Sequence, residues 1–345
     1  MNMTQAEPHV SSGTILPYLK SAQDHGLDPD AFLAPLNLTT QSIKQQQPRL
    51  PESQTGLLLM NLIEASGNPW LGLDSSKHVE ISTYDINGYI SVNCSCPLEA
   101  IKLTAELQRI LSDSRVLHIR ETHSQVISTW NLSQPEPVVS QNIAEHLMSS
   151  YVKYGQSILQ LEGHPEVAKF RHKAPKDTAA MAMYEEIFQC PLLFEQEHYE
   201  LAFNREEARD LIIPQADPVL RDMLIAHAQK RISDIATTLP FTYQVKSLIK
   251  QLLAKRVPSR DSVAEHLNMG SRTMQRRLLT ENSSYKDAFN SVRQELALHY
   301  LRDEALNLDD IAEKLGFSET RSFHRSFKQW TGGTVGAYRD ELLKK

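Results

Sequence analysis

Residues 308–330 read LDDIAEKLGFSETRSFHRSFKQW, and a related pattern, SRDSVAEHLNMGSRTMQRRL, occupies residues 259–278. In both segments a short amphipathic stretch, a tight turn and a second amphipathic stretch follow one another. On the offset that places Ala264 on Ala312, Arg277 falls on Arg325. A repeat at a fixed offset indicates two similar structural modules.

Each module predicts a helix, a turn and a second helix. Val263 and Leu267 lie four residues apart and would share one face of the first helix of the first module. Ile311 and Leu315 repeat this spacing in the second module. Ala264 and Ala312 are small enough to let the second helix of each module pack close to the first.

Individual residues also predict the turn and the second helix of each module. Asn268 and Gly316 tolerate the left-handed backbone with which such a first helix ends. Ser318 is predicted to cap the helix that follows it. Each second helix has apolar side chains spaced along one face, which predicts a buried stripe. The residues of the two stripes are Met274, Leu278, Phe323, Phe327 and Trp330.

The opposite face of each second helix is polar and basic, as in a helix that reads the DNA major groove. Arg272, Arg276 and Arg321 are predicted to contact bases, because a guanidinium can pair bidentately with guanine. For His324 two interpretations remain, a base contact or a solvated surface residue. Arg325 and Lys328 are either phosphate contacts or surface charges. The complete set of predicted DNA-binding residues is Ser271, Arg272, Thr273, Gln275, Arg276, Thr320, Arg321, His324, Arg325 and Lys328.

The C-terminal segment also resembles a known family. Arg325-Ser326-Phe327-Lys328, Gly332 and Tyr338-Arg339 are similar to the signature of the AraC/XylS family of bacterial transcription regulators, and residues 271–278 resemble its first recognition helix. Val335 departs from the proline usual at that position, which would preset the start of the last helix. We expect this to loosen the helix boundary without removing DNA contacts.

Residues 15–235 resemble, more loosely, the effector-binding half of one branch of that family, an α+β domain named for arabinose binding. The similarity lies in residues 172–175, 184–191, 194, 201–203 and 217–218, although Gln189-Cys190 stands where Phe-Gly is frequent. The resemblance implies a sensory or dimerising role. The expected architecture is an α+β sensory domain over residues 13–238, followed by an all-α DNA-binding domain over residues 241–345 with helix-turn-helix motifs at 259–279 and 308–329.

The two predicted domains differ in net charge: the N-terminal part is acidic and the C-terminal part is basic. The chain of 345 residues has a net charge of −6, but residues 241–345 hold 18 Lys/Arg against 13 Asp/Glu. The first 240 residues hold 18 against 29. We expect the basic end to meet phosphates and the acidic part to stay off DNA. The acidic part also hints at a cationic or neutral effector.

In the first 240 residues the pattern predicts alternating helices and short strands. Residues 1–12 are expected to be a disordered lead, residues 45–51 a linker and Asn87-Gly88 a turn or a helix-to-strand corner. Helices are predicted over residues 14–25, 28–33, 55–65, 97–111, 137–161, 178–188 and 216–239. Strands are predicted as a hairpin of 116–120 and 125–130, and at 169–172, 192–194 and 199–203.

Cysteine and histidine positions offer two other kinds of chemistry, metal binding and nucleophilic catalysis. Cys94 and Cys96, with His118 and His123, could be metal ligands, but zinc sites space cysteines more widely, and a partly buried strand is favoured. Cys190 is favoured as a small core residue over a nucleophile. Three cysteines make no disulfide framework, which fits a reducing cytoplasm. We expect no metal and no cofactor.

The predicted function is a sequence-specific DNA-binding transcription regulator, an activator responsive to a small-molecule effector, located in the cytoplasm. The expected partners are double-stranded promoter DNA, the effector and, by resemblance, RNA polymerase and a second copy of the chain; no membrane is expected. The alternative is an enzyme with a DNA-binding tail and its chemistry in the N-terminal half. The sequence favours no enzyme, because that half has no phosphate-cradling glycine loop, nucleophile elbow or paired acid motif.

Overall fold

The computed structural model describes residues 7–132, 134, 136–238, 241–253, 257–301, 306–317 and 319–343. The chain divides into two compact units, Met1–Ser233 and Asp234–Lys345. Ser318 and Leu239, for which the sequence makes predictions, lie outside the described residues.

The first unit is rich in helices. They are α1 (Leu16–Asp24), α2 (Pro29–Leu33), α3 (Thr40–Gln46), α4 (Glu52–Ser66), α5 (Leu71–Asp74), α6 (Asp85–Val92), α7 (Pro97–Leu107), α8 (Pro137–Ser157), α9 (Thr178–Phe188), α10 (Arg205–Asp210) and α11 (Pro218–Thr238). Short 3-10 helices occupy Ser12–Ile15, Ala34–Leu36, Ser75–His78, Ile81–Tyr84 and Gln108–Ile110. Each helix predicted in this half is present, with ends that differ by a few residues.

The strands form two sheets. They are β1 (His9–Ser11), β2 (Arg49–Pro51), β3 (Val116–Glu121), β4 (Gln125–Asn131), β5 (Val167–Lys169), β6 (Leu192–Leu193) and β7 (Tyr199–Asn204). β1 and β2 pair antiparallel, and the larger sheet has the order β3-β4-β7-β5-β6. In that sheet Leu201 lies opposite Ser128 of β4 on one side and Ala168 of β5 on the other. Only β5 and β6 run parallel among these pairs.

Helix α8 lies against the sheet and joins it to the other helices. Ala144, Met148 and Val152 of α8 belong to the same buried cluster as Phe170 and Leu201. Another face of α8 meets α5, where the backbone N–H of Gly72 donates to the Asn142 side chain over 2.7 Å. A Cβ on Gly72 would lie 1.9 Å from the Asn142 carbonyl oxygen, so this crossing requires glycine.

Two segments differ from the prediction because tertiary pairing uses them. Residues 9–11 and 49–51 are paired strands, where the sequence predicted a disordered lead and a linker. Arg49 anchors the second of these strands, with an ion pair to Asp113 of 2.8 Å and donation to the carbonyls of Arg109 and Ile110. These partners are about sixty residues away, so local patterns do not reveal them.

The predicted corner at Asn87-Gly88 is wrong, because α6 runs through both residues. A Cβ on Gly88 would lie 2.0 Å from the Ile81 carbonyl oxygen. Gly88 therefore allows a close approach of the helix to the preceding turn, a role that glycine has inside elements as well as in turns. The strand predicted at 169–172 is displaced to 167–169, and Phe170 is instead fully buried beyond its end.

The second unit is helical throughout its described residues. It contains α12 (Phe241–Leu253), α13 (Arg260–His266), α14 (Ser271–Thr280), α15 (Tyr285–Tyr300), α16 (Leu308–Lys314), α17 (Thr320–Thr331) and α18 (Val335–Leu343). Two buried clusters divide it, one around Met274 and Leu278 and the other around Phe323 and Phe327. Helix α15 contributes Val292 to the first cluster and Ala297 to the second, so it connects the two modules.

Candidate nucleic-acid interface and a cavity in the first unit

Both modules are helix-turn-helix units with the predicted left-handed turn. The φ angles of Asn268 and Gly316 are 53° and 74°. The next backbone N–H in each turn donates to the alanine of the first helix, from Met269 to Ala264 over 3.0 Å and from Phe317 to Ala312 over 2.9 Å. The turn geometry therefore repeats at the predicted spacing.

Beyond the turn the equivalence of the two modules shifts by one residue. Met274 and Leu278 are fully buried in α14, and Phe323 and Phe327 take the same two places in α17. These pairs are 49 positions apart, whereas Ala264 and Ala312 are 48 apart. The second turn thus contains one residue more than the first.

This shift corrects the predicted pairing of Arg277 with Arg325. In the structure Arg276 is equivalent to Arg325, and Arg272 is equivalent to Arg321. The guanidinium of Arg277 instead lies over the ring of Phe241, 3.9 Å from its centre. Arg277 therefore stabilises the packing of α12 on α14.

The start of each second helix is tied to its first helix by a side-chain hydrogen bond. The Ser271 hydroxyl donates to the carboxylate of Asp261 in α13. The Thr320 hydroxyl donates in the same way to Asp309 in α16. Both hydroxyls were predicted as DNA contacts, and their occupied donors give them a positioning role that the sequence did not reveal.

The remaining candidate residues divide by exposure. Arg272, Thr273 and Arg276 of α14 are exposed, and so are the four candidates Arg321, His324, Arg325 and Lys328 of α17. Gln275 is only partly exposed. Because residues four apart share a face of a helix, each second helix presents a pair of arginines on its outer side. Arg325 also donates to the Ser322 hydroxyl over 3.2 Å.

Arg293 of α15 is a residue that the sequence analysis missed. It donates to the carbonyl oxygens of Leu315 over 2.8 Å and Gly316 over 2.6 Å. Its guanidinium also stacks on Phe289 and Phe317, at 4.3 and 4.1 Å from the ring centres. Arg293 therefore holds the second helix-turn-helix turn onto the connecting helix. The position of Arg293 along α15 does not indicate this role, because the carbonyl groups that it contacts belong to the second module.

Trp330 differs from its predicted role, and Val335 lies at the start of the last helix. Trp330 is only half-buried at the edge of the stripe formed by Phe323 and Phe327. Val335 is buried and begins α18, so the helix starts there without the preset φ of proline. Arg339 of α18 donates to the Leu306 carbonyl over 2.7 Å, which joins the last helix to the segment before α16.

The first unit contains a cavity of about 180 Å³. It lies among α7, α8, α10 and the strands β3, β4 and β7. Most of its wall is apolar or aromatic, with Trp130, Tyr151 and Phe203 among the lining side chains. Arg115 and His146 are charged or titratable groups in the same wall. Such a concave apolar space with few polar groups is typical of a small-molecule site.

A buried polar network lies between α8 and α9. The Tyr184 hydroxyl donates to the Glu145 carboxylate, and His172 Nε2 is 3.0 Å from the Tyr184 oxygen. Because the tyrosine proton is used on Glu145, His172 donates from Nε2 and its Nδ1 is left as a buried, unpaired acceptor. Burial raises the pKa of Glu145 to about 7, although Tyr184 and Gln141 donate to it, and lowers the pKa of His172 to about 4.

The cysteines do not lie on a strand. Cys94 follows α6, where its thiol donates to the Ile90 carbonyl over 3.3 Å. Burial raises the pKa of Cys94 to about 12 and that of Cys190 to about 11. A thiol with a raised pKa is a poor nucleophile and metal ligand at neutral pH. Within the described ranges no group of three or more His, Cys, Asp or Glu is placed to hold a metal ion.

Two family models match the chain. The arabinose-binding domain of AraC transcription regulators matches residues 26–210, and a helix-turn-helix domain matches residues 263–341. The first model matches a segment within the unit that contains the cavity. The second covers both recognition helices. No helix among the described residues is long and apolar enough to cross a bilayer.

Several named regulators are similar to the chain. The ornithine utilization regulator of Pseudomonas aeruginosa is 25% identical over 277 residues, which are 79% of each protein. VirS of Mycobacterium tuberculosis is 30% identical over 186 residues, 53% of each. The crystal structure of the transcriptional regulator CdpR from P. aeruginosa covers 93% of this chain and 97% of its own, with 24% identity and a TM-score of 0.45. With its arabinose-binding-type domain and paired helix-turn-helix modules, the chain belongs to the AraC family of transcription regulators.

Proposed function

We propose that this regulator recognises a specific promoter sequence through the two second helices of its modules and responds to a small molecule bound in its first unit. The observation that supports this most directly is the pair of exposed arginines on each helix, Arg272 with Arg276 and Arg321 with Arg325. Arginine is the side chain most often used to read guanine in the major groove. In this assignment residues 241–345 bind DNA, and residues 13–238 sense the effector.

The proposed DNA site is asymmetric and spans about two helical turns. Arg272, Thr273 and Arg276 would enter one major groove, and Arg321 and His324 the next. Successive major grooves on one side of DNA lie about 34 Å apart. Helix α15, which contributes to the cores of both modules, would fix this separation. A nuclease footprint of the full chain should therefore extend over two turns, and protection of one turn would contradict the proposal.

Selection of bound sites from random duplexes, using the full chain, tests sequence recognition. Arg276→Ala should weaken binding to the selected site far more than binding to a scrambled duplex, by about 1–3 kcal/mol of discrimination. Lys286→Ala is the matched control, since it removes one exposed positive charge outside the recognition helices. Equal losses in the two variants, or no selected sequence at all, would overturn the proposed reading role.

The proposed response to the effector involves RNA polymerase and a second copy of the chain. We infer an activator that contacts RNA polymerase and acts as a homodimer in the cytoplasm, where promoter DNA lies; family membership supports these roles. The name of one relative connects it with the utilisation of an amino acid, which supports a small metabolite as the class of effector. A reporter placed behind the selected site should rise with the regulator and its effector, and repression would contradict the activator role.

The fate of the bound ligand distinguishes a sensor from the alternative, an enzyme with a DNA-binding tail. The full chain is incubated with a compound that raises its melting temperature, and the compound is then recovered and identified. Unchanged recovery over many binding cycles supports sensing. Time-dependent conversion would support catalysis in the first unit.

A further inference from the structure

The cavity of the first unit contains one charge that the protein itself leaves uncompensated. Arg115 directly precedes β3, is partly exposed, and lines the cavity. Its Nε is buried without a hydrogen-bond partner. No hydrogen bond or ion pair joins the guanidinium to the part of the chain that the structure describes. A charge that is partly withdrawn from water and has no partner is costly, and proteins normally pair it.

A nearby arginine shows how such a charge is usually handled in this fold. Arg49 forms an ion pair of 2.8 Å with Asp113. It also donates to the backbone carbonyls of His9, Arg109 and Ile110. Both terminal nitrogens of Arg49 are therefore paired within the protein. Arg115 presents its guanidinium to the cavity instead.

None of the described titratable groups around Arg115 forms an ion pair with it. Burial lowers the pKa of the Arg115 guanidinium, and the nearby Tyr18 and Glu52 act in the opposite direction. Glu52 accepts a hydrogen bond of 2.7 Å from Ser114. Burial and the charge of Arg115 lower the pKa of His146 to about 3, so this histidine is neutral near pH 7. Glu207 is a carboxylate in the cavity wall and is exposed.

We infer that the cavity binds a monocarboxylate, whose carboxylate pairs with Arg115 and whose apolar body lies against Trp130, Tyr151 and Phe203. A guanidinium matches a carboxylate with two parallel hydrogen bonds. A more highly charged group such as a phosphate would need further donors, and the surrounding wall is mainly apolar. This assignment rests on the proposed sensory role of the first unit. It replaces the cationic or neutral effector suggested by net charge, because Arg115 places a cation in the cavity wall.

Calorimetric titration of the full chain with sodium octanoate and with 1-octanol tests the charge preference. The two probes have the same chain length, and only the first has an anionic end. Octanoate should bind about ten- to hundredfold more tightly than octanol, the range expected for a hydrogen bond to a charged group. Equal binding of the two probes, or tighter binding of octanol, would overturn the inference.

Three variants locate the preference. Arg115→Met keeps a long side chain and removes the charge, so it should lose the preference for octanoate, because an unpaired carboxylate costs more to bury than a hydroxyl. Arg115→Lys keeps the charge without the planar fork and should retain part of the preference, which gives a second readout if the methionine variant does not fold. Arg120→Met, at an exposed position of β3, is the control and should behave like the wild type. An unchanged preference in both Arg115 variants would exclude this residue as the anion partner.

The DNA selection described above separates this inference from the proposed function. If the full chain selects a DNA site but does not prefer octanoate, only the carboxylate assignment fails. If it prefers octanoate through Arg115 but selects no DNA sequence, the assignment of the cavity holds and the regulatory proposal fails.

Discussion

The hydroxyl of Ser271 donates a hydrogen bond to the carboxylate of Asp261, across the turn of the first helix-turn-helix module. Thr320 and Asp309 repeat this contact in the second module. The two contacts set where each recognition helix begins. They also explain why a hydroxyl is useful at that position even where it does not read a base.

Replacing this hydroxyl should loosen the module more than it changes specificity. We expect Ser271→Ala to lower the free energy of unfolding by about 1 kcal/mol, as for loss of one side-chain hydrogen bond. Ser271→Thr should keep the contact and the stability. Urea unfolding and binding to selected and scrambled duplexes provide the measurements. A loss confined to the selected duplex would instead make Ser271 a reading residue.

Lys328 and Arg276 should differ in their response to salt. Lys328→Ala is expected to weaken binding to all duplexes alike and to reduce the slope of log affinity against log salt by about 1, as for one lost phosphate contact. Arg276→Ala should show its loss mainly on the selected site. Anisotropy titrations at several salt concentrations measure both. If the two variants affected every sequence equally, the division between reading and phosphate contacts would be wrong.

Arg293 should be more important for the second module than its place on a connecting helix suggests. Arg293→Lys keeps the charge but cannot make both carbonyl contacts while stacking on Phe289 and Phe317. We expect a loss of about 1–3 kcal/mol in unfolding free energy, as for hydrogen bonds to a charged group. Chemical denaturation measures this. Wild-type stability of the variant would show that the contacts to Leu315 and Gly316 contribute little.

Two glycine substitutions in the first unit should have opposite signs. Gly72→Ala is expected to destabilise by several kcal/mol, because its Cβ would meet the Asn142 backbone at 1.9 Å, which is strong overpacking. Gly155→Ala, inside α8 with its nearest neighbour at 3.9 Å, should stabilise by about 0.5–1 kcal/mol. Thermal unfolding of the two variants checks both signs. A tolerated Gly72→Ala would mean that α5 can move away from α8.

Glu145 should make the stability of the first unit depend on pH. Its pKa is raised from 4.5 to about 7, so the folded chain retains a proton that the unfolded chain loses. Stability should therefore fall as pH rises from about 4.5 to about 7, by about 3 kcal/mol in total. Glu145→Gln removes this titration.

The variant also provides the control for that prediction. The lowered pKa values of His146 and His172 act in the opposite direction on acidification, and both histidines remain in Glu145→Gln. The difference in unfolding free energy, variant minus wild type, should therefore increase between pH 5 and pH 7. A difference that stays flat over this range would show that Glu145 is ionised in the folded chain.

Local patterns were sufficient for the helix-turn-helix modules. The spacing of Val263 and Leu267, the tolerance of Asn268 and Gly316 for positive φ, and the stripe at Phe323 and Phe327 are all properties of a few consecutive residues. The hairpin of β3 and β4 and most helices of the first unit were predicted for the same reason. Periodicity and turn chemistry are encoded within one or two turns of chain.

Features that depend on distant partners could not be predicted in this way. The pairing of residues 9–11 with 49–51 and the helix through Gly88 follow from contacts that sequence spacing does not show. The same holds for the network of Glu145, Tyr184 and His172, whose members come from separate elements. Arg115 is one of many arginines in the sequence, and only the fold shows that it faces a cavity without a counter-ion.

The additional residue in the second turn has a consequence for chimeric regulators. One residue rotates an α-helix by about 100°, so exchanging recognition helices on the 48-residue offset of the first helices would turn the grafted surface to the side. In the second module Arg277 would then reach the outward place of Arg325, and in the first module His324 would reach the outward place of Arg276. Grafts joined after Gly270 and Glu319, which respect the 49-residue offset, should transfer specificity with the helix intact.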